Sequence, residues 1–207
     1  MPAAGLIAVP DGVGLLDATA LLADGRTATG LVQAARVIAG ERVLVEAAAG
    51  GVGSLIVQLC RAAGAYVIGA ASAAKLPSVP SDETVDYNRP SWTHGLGTVD
   101  VVFDGVGGAI GSAALALVKP GGRFLAYGVA SGGPTTVDRA GVEILGFAAL
   151  GSIAQRAAEY TDRALHLAAE GKLRPVIGQT FPLAQAAAAH RAIEERSTMG
   201  KTLLVME

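Results

Sequence analysis

The stretch Val43–Ser54, VLVEAAAGGVGS, restricts the fold more than any other part of the chain. Val43-Leu44-Val45 is a β-branched-rich apolar run without alternation, the pattern of a strand buried on both faces. A glycine turn follows it. From Val52 to Ala63, residues Leu55, Ile56, Leu59 and Cys60 then recur at helical spacing. In that strand–turn–helix context, Ala48-x-Gly50-x-x-Gly53 reads as a dinucleotide fingerprint, with alanine in the first glycine slot. Gly50 lets the backbone come close to a pyrophosphate, and Gly53 lets the helix pack tightly on the strand. The helix N-terminus supplies free N–H groups and the positive end of a dipole. The plain alternative is a glycine turn used for packing alone.

The same alternation continues. Ala65–Gly69, Val99–Phe103 and Arg123–Tyr127 read as further strands. A helix from Ile110 to Val118 is expected to stop at Pro120-Gly121-Gly122. Strands separated by helices, with no hairpin signal, require right-handed crossovers and a parallel sheet. The expected architecture is α/β: a Rossmann doubly wound parallel sheet of order 3-2-1-4-5-6, with flanking helices and short terminal strands. Ser72 to Asp86, which holds Pro77 and Pro80, is the one irregular connection.

The flanks are read as a helical lead-in (1–40), with stretches around Asp17–Leu22 and Thr27–Ile38, and a C-terminal part (176–207). The latter holds a helix from Ala184 to Glu195 and a strand from Lys201 to Val205. The dinucleotide-binding domain is assigned to 41–175. Its end carries an apolar run, Ile144–Leu150, expected as the last strand of the sheet, and a long helix from Ile153 to Glu170. An apolar edge strand invites pairing, so a homodimer through Ile144–Leu150 is expected.

Composition excludes other classes. With 51% apolar residues and only 16% charged ones, the chain is not disordered. A net charge of −2 without a basic stripe argues against nucleic-acid binding. No apolar stretch reaches membrane-spanning length, and Met1-Pro2-Ala3-Ala4-Gly5 lacks the charged start of a signal peptide. The cytosol is the expected compartment. One cysteine, Cys60, excludes an internal disulfide or a cysteine-based zinc site, and His94, His166 and His190 are not at zinc-ligand spacing. No metal is expected.

About 20 residues past the turn, an NAD-type fold places an acid against the ribose 2′-hydroxyl. Here the chain reads Ala70-Ala71-Ser72-Ala73-Ala74-Lys75. A hydroxyl and a cation without an acid suit a 2′-phosphate and so NADP(H). A helix-capping serine and a surface lysine are the alternative. Asp104, before Gly105-Val106-Gly107-Gly108, either contacts a ribose or forms the turn. An S-adenosylmethionine methyltransferase also uses a glycine loop, but would want an acid where Ala71 and Ser72 stand.

Taken together, Pro10-Asp11-Gly12, Gly25-Arg26-Thr27-Ala28, Val43–Gln58, Val85-Asp86-Tyr87, Val101–Gly108, Lys119–Arg123, Ala189-His190-Arg191 and Gly200-Lys201 resemble the zinc-independent, quinone-oxidoreductase branch of the medium-chain dehydrogenase/reductase superfamily. The resemblance implies hydride transfer from NADPH to a quinone or an α,β-unsaturated carbonyl. It implies Ser72, Lys75, Tyr87 and Arg196 around the 2′-phosphate, and Gly50, Gly51, Val52 and Gly53 at the pyrophosphate. Thr27, Gly105, Val106, Gly128 and Val129 would line the nicotinamide half. It further implies a catalytic domain before the segment that starts here, with Met1–Gly5 as an internal junction. Gln179–Phe181 and Lys201–Val205 would then lack their partners in that domain, and an isolated chain would bind cofactor but catalyse poorly. A non-catalytic NADPH-binding module is the competing reading.

Overall fold

The computed structural model describes residues 6–206. The junction expected at Met1–Gly5 lies outside them. Six parallel strands form the main sheet in the order β3-β2-β1-β4-β5-β6, as the sequence predicts. They are β1 (Arg42–Glu46), β2 (Tyr66–Ala71), β3 (Glu83–Asp86), β4 (Val99–Asp104), β5 (Val118–Ala126) and β6 (Glu143–Leu145). Burial of β1 and β4 on both faces explains their unbroken apolar runs. One face packs Val43, Val45, Val101 and Phe103 against α1 (Leu15–Ala35), α2 (Gly51–Ala62) and α5 (Ala157–Ala169). The other packs Leu44, Val102 and Phe124 with Ala114 and Leu115 of α3 (Gly108–Leu115) and with Trp92.

Several expectations change. The two helical stretches of the lead-in are one continuous helix, α1, which packs on α2 and α5. Gly25 sits against Ala164, and Gly30 sits against Ile153, so both glycines are close-packing points within the helix. The apolar run Ile144–Leu150 is a strand only to Leu145. From Ala148 to Gln155 it is helix α4, because Ala-rich sequence after Gly146 favours helix once the edge is reached. The long helix expected from Ile153 breaks at Arg156 into α4 and α5. Pro120-Gly121-Gly122 lies within β5, where the pairing with β4 shifts register between Val99 and Val101. The irregular connection holds a 3₁₀ helix, Ala73–Ser78, with Pro77 inside it, and then β3.

The C-terminal part is self-paired. β7 (Ile177–Pro182) and β8 (Lys201–Val205) form a two-stranded parallel sheet joined through α6 (Ala186–Glu194). The segments expected to lack strand partners therefore pair with each other. Among the described residues, no helix is long and apolar enough to cross a membrane.

Candidate functional site

The glycine turn joins β1 to α2 at the carboxyl edge of the sheet. Ala47 takes the left-handed conformation (φ 50°), one residue before the alanine that the fingerprint puts in the first glycine slot. The Gly50 amide donates to the Ala47 carbonyl at 2.8 Å. A Cβ at Gly53 would overlap that same carbonyl, so Gly53 is required for the helix to sit on the strand. α2 starts at Gly51 with no side-chain cap, and its first N–H groups have no partner within the helix.

Two elements close over this turn. The Gly200 amide donates to the Ala49 carbonyl at 2.8 Å. Asp24 of α1 lies where a Gly51 side chain would stand, and accepts from the Lys201 ammonium at 2.9 Å. Sequence reasoning missed Asp24. Its signal was its place beside Gly25-Arg26-Thr27 together with the terminal Gly200-Lys201.

A cleft of about 380 Å³ opens beside the turn. It brings together Gly50, Lys75, Tyr87, Val106 and Arg196, five of the residues picked from sequence. Ala130, Ile193, Glu194 and Thr198 also line it and were not foreseen. Lys75 is no freely moving surface lysine: its Nζ donates to the carbonyls of Arg196 at 2.9 Å and Thr198 at 2.7 Å. Burial, and then the Arg196 charge, lower its ammonium from the ordinary range. Arg196 has left-handed backbone (φ 56°), and its guanidinium donates to the Ala130 carbonyl. Tyr87 is half-buried; burial raises its phenol, while Arg196 pulls the other way.

The remaining expectations divide. Ser72 is half-buried at the start of the 3₁₀ helix, makes no side-chain cap and does not line the cleft. Thr27 sits within α1, and Gly105, Gly128 and Val129 sit at the carboxyl ends of β4 and β5 rather than on the cleft wall. A Cβ at Gly105 would come within 2.6 Å of the Tyr127 hydroxyl, which donates to the Glu46 carbonyl at 2.9 Å. Asp104 is fully buried. Its Oδ1 accepts from the amides of Val106 (2.9 Å) and Gly107 (2.6 Å), and its Oδ2 accepts from the Thr135 hydroxyl. Of its two readings, the turn-forming one matches these bonds. A second groove, between α1, α2 and α5, is of similar size but lies by the C-terminal end of α2, away from the strand ends where open α/β sheets bind ligands.

The family signature described as zinc-binding dehydrogenase matches residues 80–204. A quinone oxidoreductase of Pseudomonas aeruginosa is 32% identical over 97% of this chain and 67% of its own length. A spectinabilin polyketide synthase system protein of Streptomyces orinoci is 36% identical over 86% of this chain but only 9% of its own length. The chain thus spans two thirds or less of these relatives. A mycobacterial protein solved with NADPH superposes with a TM-score of 0.86 and 28% identity, covering 99% of this chain and 69% of the other. The zinc in that family description finds no fit here: among the described residues no three His, Cys, Asp or Glu side chains gather as a metal site. The nucleotide-fold features fit throughout, from the glycine turn to the strand order, and this chain belongs to the medium-chain dehydrogenase/reductase superfamily.

Proposed function

We propose that this chain is the NADP(H)-binding portion of a zinc-independent oxidoreductase that reduces a quinone or an α,β-unsaturated carbonyl. The observation that carries the cofactor preference is the pair of cations on one cleft. Lys75 and Arg196 face it together, and no acid stands at the end of β2, where Ala71 is followed by Ser72. An ammonium has three N–H donors. Two of those of Lys75 are committed to carbonyls, and the third would meet a 2′-phosphate. Tyr87 would flank the same group. The amides of Gly51, Val52 and Gly53 at the start of α2 would hold the pyrophosphate, and Val106 would bound the cleft toward the nicotinamide. When bound, NADPH supplies a hydride; the chain's part is to fix its orientation and keep water from one of its faces.

Residues 41–175 are the proposed cofactor unit, with 1–40 as the lead-in and 176–207 as the part that would return to a catalytic domain. A homodimer through the outer edge of β6 remains part of the proposal, now confined to Glu143–Leu145.

Thermal unfolding with added nucleotide tests the reading. A ligand bound only by the native state at 100 times its Kd stabilises by about 2.7 kcal/mol. NADPH is expected to raise the Tm at concentrations where NADH does not. Equal shifts from both would defeat the 2′-phosphate assignment. Hydride transfer to a quinone by the isolated chain would exclude the non-catalytic module.

A further inference from the structure

Glu46 is an anomaly in this core. It ends β1 in an otherwise apolar run, is 0% exposed, and neither carboxyl oxygen has a hydrogen-bond partner among the described residues. Register pairs it with Ala70 of β2, and on the other side it follows the last β1–β4 pair, Val45 with Phe103, next to the Asp104 carboxyl. The two carboxyls are not equivalent. Asp104 accepts from two backbone amides and one hydroxyl, so both of its oxygens are met by donors. Glu46 accepts from nothing, and an ionised carboxylate without donors does not persist in a sheet interior.

We propose that Glu46 is a positioning residue: held as a neutral acid, its proton bridges to the Asp104 carboxylate and fixes the turn Gly105–Gly108, whose Val106 lines the cofactor cleft. The bridge would complete a chain from Thr135 through Asp104 to the Val106 and Gly107 amides. Val106 is the member of that chain that lines the cleft. Burial first, and then Asp104, push the Glu46 carboxyl well above the ordinary range, against a smaller pull from the nearby Val106 amide, whose hydrogen bond itself goes to Asp104. The titratable groups around it are Asp104 from β4, Tyr87 after β3 and Tyr127 after β5. α3, which packs on Asp104 through Gly111, contributes none. Arg196 acts on Tyr87 across the cleft. Ionisation of Glu46 would therefore set two anions side by side beneath a site proposed for phosphates.

The effect on binding rests on the NADP(H) reading, so two readouts are needed. In the first, the chain is labelled with ¹³Cδ-glutamate and titrated without nucleotide. The Glu46 resonance is expected to keep its acid-form shift at a pH where the other glutamates have ionised. Titration of Glu46 along with them overturns the proposal, whatever NADPH does. In the second, Glu46→Gln, which keeps a donor toward Asp104, is expected to hold NADPH affinity and the Val106 and Gly107 amide shifts. It should also lose the alkaline fall in affinity expected of the parent chain. Glu46→Ala is expected to weaken NADPH about tenfold, the equivalent of one buried hydrogen bond to a charged group, and to move both amides. Equal effects of Gln and Ala, or a parent pH profile matching that of Gln, would overturn it. Absence of NADPH binding beside a protonated Glu46 would sink only the cofactor reading.

Discussion

The Lys75 ammonium donates to the Thr198 carbonyl at 2.7 Å, tying the 3₁₀ helix after β2 to the turn before β8, more than a hundred residues later. The same nitrogen holds the Arg196 carbonyl. Lys75 thus contributes its own charge to the cleft and also sets where the Arg196 charge stands. Lys75→Ala is expected to weaken NADPH by about 10- to 100-fold, the range for losing a hydrogen bond to a charged group, and NADH by much less. Titration calorimetry with both nucleotides checks it. A matched loss would mean that Lys75 serves only the turn.

Gly53 meets the backbone of Ala47 with no room for a side chain. Gly53→Val forces the start of α2 away from β1 and adds a β-branched group at a crowded position. The expected cost is roughly 1–3 kcal/mol or more, as for overpacked cores. Urea unfolding measures it, and both nucleotides should lose affinity because the N-terminal amides of α2 move. A variant with parental stability and binding would show that the turn tolerates a wider spacing.

The fingerprint was legible because its demands are local. Strand, turn and helix each follow from neighbours in sequence, and the order of the sheet is that of the dinucleotide-binding fold the fingerprint indicates. The cleft was half legible. Lys75, Tyr87 and Arg196 were found because each belongs to a motif, but Ile193 and Thr198 reach the cleft only through the return of the C-terminal turn across Gly50, and Ala130 through the loop after β5. Glu46 carried a signal that was passed over, a carboxyl inside an apolar strand. Phe147–Leu150 was misread because an apolar run looks alike in a strand and in a buried helix. The pairing of β7 with β8 was missed because both segments were assigned to an absent neighbour.

β6 leaves one edge of the main sheet unpaired in this chain. Glu143 there is bound to Arg36, and Phe147 just beyond is 45% exposed. An open edge beside exposed apolar surface favours self-association. Sedimentation at micromolar concentration is expected to show a dimer, and a proline at Ile144, which removes an N–H and disturbs the edge, should shift it toward monomer. Monomer alone for the parent chain would end the proposal.

At the amino-terminal end of β4, Asp100 accepts from the Arg42 amide at 2.9 Å and pairs with the Lys119 ammonium. Burial pushes its carboxyl up, but these partners outweigh burial and hold it below the ordinary aspartate value. A carboxylate whose folded pKa is depressed contributes stability that is present above its unfolded pKa, about 3.9, and lost as pH falls through the lower folded value. Asp100→Asn is therefore expected to cost about 1 kcal/mol at neutral pH, the size of one partly exposed charged contact. The gap to the parent should hold down to about pH 4 and shrink below it, as the parent loses the ion pair that the variant never had. Urea unfolding at neutral pH and at successive acid steps reads this directly, and a gap that stays constant into the acid range would refute the electrostatic origin.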